Sequence, residues 1–97
     1  GEQKEKLLKN IDFFKTMSSQ LGLNFETSDS AIQPLIVGSS KRALEISNNL
    51  FDSGFFVSAI RPPTVPPNTA RLRFTLSANH QSEEIESLLA KVKNAMA

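Results

Sequence analysis

The stretch ARLRFTLSA, Ala70 to Ala78, alternates apolar and polar side chains: Leu72, Phe74 and Leu76 against Arg71, Arg73, Thr75 and Ser77. Successive side chains of a strand point to opposite faces, so the pattern predicts a strand with one buried and one open face. A sheet built around it needs helices on one side and leaves the other bare. This constrains the chain to a two-layer α+β arrangement.

The rest of the chain supplies the parts. From Glu2 to Leu21 the residues Leu7, Ile11, Phe14, Met17 and Leu21 recur at helical spacing, with Leu8 and Phe13 widening the stripe and Gly22 as a stop. Asn24 to Ser30 reads as a polar connection. Ala31 to Gly38 has the β-branched content of a strand, and Pro34 points to an edge position or an irregularity, because proline cannot donate to a ladder. Ser39 or Ser40 caps a second helix whose buried face is Ala43, Leu44, Ile46, Ser47, Leu50 and Phe51, ending before Gly54. Phe55 to Arg61 reads as another strand. A last helix is expected after Ser82 as cap, with Glu83 and Glu84 at the positive end of its dipole and Ile85, Leu88, Leu89, Val92 and Met96 inward. The order α-β-α-β-β-α predicts a small three-stranded, mostly antiparallel sheet backed by helices. The arginine strand belongs in the middle, where a crossover through a helix leaves room for it.

A chain of 97 residues has material for one core. A net charge of +1 creates no field that argues for nucleic acid or an anionic membrane. With no cysteine and one histidine, disulfide frameworks and the usual zinc constellations are excluded. No apolar run approaches the roughly 20 residues that cross a bilayer. The expectation is a soluble, cytoplasmic chain that meets neither nucleic acid nor membrane. Gly1 in place of methionine suggests that it is cut from something longer or that Gly1 is a cloning remnant.

The polar face of the third strand admits two readings. It is either a solvated surface whose charges blunt aggregation, or a platform on which a guanidinium holds a carboxylate through two parallel hydrogen bonds. The preceding PPTVPPNT, Pro62 to Thr69, is stiff because prolines fix its backbone, and Asn68 tolerates the positive φ a turn demands. Such a loop either lowers the entropy of the unfolded chain or presents Arg61 and Thr64 at fixed positions. VGSSKR, Val37 to Arg42, lacks the spacing of a phosphate loop and is better explained as a helix cap. His80 has no second histidine or acid at ligand spacing and reads as a capping or packing residue. No nucleophile, base and acid are spaced as a triad.

The segments AIQPLIVGSSKRALEISNNLFDSG and GFFVSAIRPPTVPPNTARLRFTLSANHQSEEIESLL, Ala31 onward, closely resemble the C-terminal end of the 8-amino-7-oxononanoate synthases. These belong to the α-oxoamine synthase family of fold-type I pyridoxal phosphate enzymes. The RPPTVP and TARLR signals carry the resemblance. Glycine-using relatives, such as 2-amino-3-ketobutyrate ligase and 5-aminolevulinate synthase, differ in the proline loop.

The resemblance implies a single domain over 1–97, with 1–22 the leading helix and 31–97 the sheet-and-helix small domain of an aminotransferase-like enzyme. Its open face would close over a large domain that lies outside this sequence and binds pyridoxal phosphate. It further implies a homodimeric parent that condenses L-alanine with a pimeloyl thioester, with decarboxylation. Arg73 would grip the amino-acid carboxylate, and Thr64 and Arg61 would face the acyl thioester. Asn68 departs from the family, which usually has glycine there. None of Lys4, Lys6, Lys9, Lys15, Lys41, Lys91 or Lys93 sits in a motif like the cofactor-binding lysine's, so the chain alone is expected to be catalytically silent. The alternatives are another α-oxoamine synthase, a stand-alone module whose basic sheet face meets RNA, and a regulatory domain that meets only a partner protein. Against the RNA reading, Phe74, the strand's one aromatic, alternates away from the arginines.

Overall fold

The strand that alternates most strictly lies at the centre of the sheet. The computed structural model describes residues 1–26 and 28–97. Its elements are α1 (Glu2–Gln20), β1 (Ile32–Gly38), α2 (Ser40–Asn49), β2 (Phe56–Ile60), β3 (Ala70–Thr75) and α3 (Ser82–Met96). The sheet order is β1-β3-β2, and both pairings are antiparallel. The expected element order and the central arginine strand therefore hold. Within the expected polar connection at 24–30, Thr27 lies outside the described residues.

Pro34 sits on the edge strand opposite Arg73, and its carbonyl accepts the Glu26 amide at 2.8 Å from outside the sheet. In an antiparallel ladder the N–H and C=O of one residue point the same way, so the proline nitrogen faces outward and no rung is lost.

The inner face of the sheet and one stripe from each helix form the core. Leu72 and Phe74 of β3 are fully buried, with Leu35 of β1, Ala43 and Ile46 of α2, and Ile85, Leu88, Leu89 and Val92 of α3. From α1 come Ile11 and Phe14. The Phe14 ring meets Phe25 edge-on with centroids 4.9 Å apart and lies 6.1 Å from Phe74. Ser18 takes the next position of that stripe, its hydroxyl masked by donating to the Phe14 carbonyl at 2.6 Å. At the helix end the Leu23 amide reaches the Ser18 carbonyl at 2.9 Å, closed by Gly22 at φ +73°. This is the left-handed stop expected there.

Three expectations are corrected. Leu8 is 51% exposed, because the α1 contact centres on Ile11, Phe14 and Ser18 and widens toward Phe13 and Met17, on the side away from Leu8. Phe51 is 83% exposed: α2 stops at Asn49 and Leu50 fills the last core position, so helical periodicity no longer governs the next residue. Gln81, not Ser82, is the N-cap of α3, and the Glu84 carboxylate reaches back to accept the Gln81 amide at 2.8 Å. For α2 the choice falls on Ser39, whose hydroxyl oxygen accepts the Arg42 amide at 3.2 Å.

Candidate functional site

Residues that pair across a ladder share a face, so the register maps the uncovered side of the sheet directly. Ile32 and Phe56 flank Thr75, Pro34 and Ser58 flank Arg73, and Ile36 and Ile60 flank Arg71. Arg73 therefore occupies the middle of this face, and its side chain is exposed. Around it stands a partly apolar rim of Ile32, Ile36 and Phe56. Phe74 is buried on the far side as expected, yet Phe56 of β2 adds an exposed aromatic that the reading of β3 alone did not include.

The two arginines differ in what already holds them. Arg71 donates through Nε to the Thr69 carbonyl at 3.2 Å and through Nη1 to Glu26 Oε1 at 3.3 Å. Among the described residues the Arg73 guanidinium has no hydrogen-bond or ion-pair partner. A fork of that kind, flanked by a proline and a serine, suits a planar anion such as a carboxylate.

The proline loop leaves β2 at the Arg71 end of the face, since Ile60 pairs with Arg71. Arg61 and Thr64 line one recess of about 310 Å³ with Ala59, Ile60 and Pro62. The Thr64 amide donates to the Arg61 carbonyl at 3.1 Å, closing a first turn. The amide and hydroxyl of Thr69 both donate to the Pro66 carbonyl, at 3.2 and 2.6 Å, closing a second with Asn68 at φ 62°. The structure thus brings Arg61 and Thr64 together and sets Arg73 one row further along the sheet.

His80 is a packing residue, as expected. Its Nδ1 accepts the Ser77 amide at 3.0 Å, which leaves Nε2 to donate to the Gly54 carbonyl at 3.0 Å. The ring stacks on Phe55 with centroids 3.8 Å apart. Asn10 of α1 ties down the same segment by donating to the carbonyls of Ser77 and His80, both at 2.9 Å. A recess of about 680 Å³ lies between α1 and this segment and contains none of Arg61, Thr64 or Arg73. Among the described residues no cluster of acidic, histidine or cysteine side chains would hold a metal ion, and no helix is long and apolar enough to cross a membrane.

The model of the aminotransferase class I and II family matches residues 1–92. The chain belongs to that family. This aminotransferase-family chain is 55% identical over 87 residues to the 8-amino-7-oxononanoate synthase of Hydrogenovibrio crunogenus, covering 90% of itself and 22% of that relative. It superposes with a TM-score of 0.79 on the 8-amino-7-oxononanoate synthase of Francisella tularensis, at 25% identity over 93% of this chain and 26% of that one. The same score relates it to a serine palmitoyltransferase variant from S. paucimobilis with a bound pyridoxal phosphate–myriocin aldimine, at 29% identity over 97% of this chain and 24% of that one. The chain spans about a quarter of the length of such relatives.

Family and neighbours imply pyridoxal phosphate dependence for the family. The described residues do not make a site for that cofactor. Lys4, Lys6, Lys9, Lys41, Lys91 and Lys93 are solvent-exposed, Lys15 is paired with Asp29 at 2.6 Å, and no lysine shares the open face with Arg73.

Glu26 is the residue that sequence reasoning missed. It lies 45 positions from Arg71 in a stretch read only as polar, where no periodicity marks a partner.

Proposed function

We propose that this chain is the C-terminal, substrate-facing part of a pyridoxal phosphate-dependent 8-amino-7-oxononanoate synthase. The whole enzyme, a cytoplasmic homodimer, condenses L-alanine with a pimeloyl thioester, with loss of carbon dioxide, in biotin synthesis. Residues 1–22 lead into the small domain at 31–97, and the large domain that holds the cofactor lies outside this sequence. Arg73 holds the alanine carboxylate, and Thr64 and Arg61 face the acyl thioester.

The observation that carries this reading is the unengaged Arg73 guanidinium at the centre of the open face, in a chain 55% identical to a synthase of that name. A carboxylate held by two parallel hydrogen bonds is fixed in orientation as well as position, which is what a reaction at the adjacent carbon needs. The stiff proline loop would keep Arg61 and Thr64 in place beside it.

The test is a product assay on the full-length protein with a pimeloyl thioester and L-alanine, glycine or L-serine. The reading expects 8-amino-7-oxononanoate from alanine, and none from the 97-residue chain alone. Product from glycine but not alanine would favour the ligase branch of the family and overturn it.

A further inference from the structure

We propose that Glu26 determines specificity at this face. By occupying Arg71 it leaves Arg73 as the one arginine of β3 without a partner among the described residues, so that this strand face accepts an amino acid with one carboxylate and turns away short dicarboxylates that would bridge the two strand arginines. The inference rests on the reading of Arg73 as the carboxylate holder.

Glu26 is held from both sides. Phe25, immediately before it, forms a bridge with Leu35 and sends its ring into the core, 4.9 Å from Phe14 and 5.3 Å from Phe74. The Glu26 amide then donates to the Pro34 carbonyl at 2.8 Å, which extends the row Pro34, Arg73, Ser58 by one position beyond the edge strand. From there the carboxylate reaches diagonally to Arg71 at 3.3 Å. The Thr69 carbonyl takes the Arg71 Nε–H.

Arg71 and Arg73 lie on one face of one strand two residues apart, about 6.6 Å at the usual strand rise. Two unengaged forks at that spacing, on flexible stems, would each take one end of a short dicarboxylate. With Glu26 present, a second carboxylate meets a guanidinium already occupied and a fixed negative charge beside it. Discrimination comes from that repulsion as much as from the attraction at Arg73.

The test uses the full-length protein and measures inhibition by malonate, succinate and acetate in competition with L-alanine, in the wild type and in Glu26→Gln. The expected result is malonate and succinate inhibition tightened at least about tenfold, acetate changed less than about twofold, and the wild-type pattern restored by adding Arg71→Gln. Because the Glu26 side chain is 43% exposed, its substitution leaves the core intact, and Glu26→Ala provides a second variant for the same comparison. Unchanged malonate inhibition in both variants, or an equal shift for acetate and malonate, would overturn the proposal. If Arg73→Ala leaves alanine binding intact, it is the reading of Arg73 that fails. If Arg73→Ala weakens alanine while the Glu26 variants do not respond to malonate, the Glu26 inference fails alone.

Discussion

Asn68 holds φ at 62°, a backbone conformation that short polar residues and glycine adopt and β-carbon sterics otherwise penalise. Asparagine is therefore a conservative alternative to glycine at this turn. Asn68→Gly is expected to leave the thermal midpoint nearly unchanged, whereas Asn68→Ala should lower stability by about 1 kcal/mol, read from denaturant unfolding. Asp29 offers a test in pH. Its hydrogen bond to Lys15 and the Lys15 charge hold its carboxyl below the ordinary 3.8. A depressed pKa in the folded state contributes stability above the ordinary value, and that contribution is lost as pH falls through the lowered one. Asp29→Asn should thus melt slightly below the wild type at neutral pH, with the gap closing in acid as pH falls below the ordinary 3.8 and through the lowered value. A gap that widens in acid would contradict the pairing. At this scale Arg73 was legible because strand periodicity assigns it to a face. Glu26 was not, because a side chain crossing from a connecting segment to a distant strand leaves no repeating signature.

The elements were legible wherever apolar spacing was regular, and misread at their ends. Ser82 looked like the cap of α3 because serine is a good N-cap in isolation. What decides the boundary is Glu84 standing three residues after Gln81, so that its carboxylate satisfies the Gln81 amide. Phe51 failed for a related reason, since the helix ended before the period could place it. The strongest claim at this scale concerns α1. It supplies Ile11 and Phe14 to the core and, through Asn10, fixes the segment that carries His80. Phe14→Ala should lower stability by about 3–5 kcal/mol. A chain that begins at Gly22 should lose cooperative unfolding, monitored by circular dichroism. Retention of a sharp transition by that shortened chain would show α1 to be an appendage.

At the scale of the whole molecule, the helices complete one layer and leave the other side of the sheet open, with exposed Ile32, Ile36 and Phe56 around an exposed arginine. The alternation of β3 made this architecture readable. It could not show that Arg71 is engaged while Arg73 has no partner among the described residues, which depends on Glu26 and Thr69 meeting β3 from the two connecting segments. The account's central claim is that Arg73 is the carboxylate holder, and an equilibrium titration of the full-length protein with L-alanine tests it most directly. Removing a charged clamp of this kind costs on the order of 2–5 kcal/mol, so Arg73→Ala should weaken alanine binding by about 30-fold or more. Arg73→Lys, which keeps the charge and loses the fork, should fall between. Alanine affinity within about twofold of the wild type in both variants would contradict the claim.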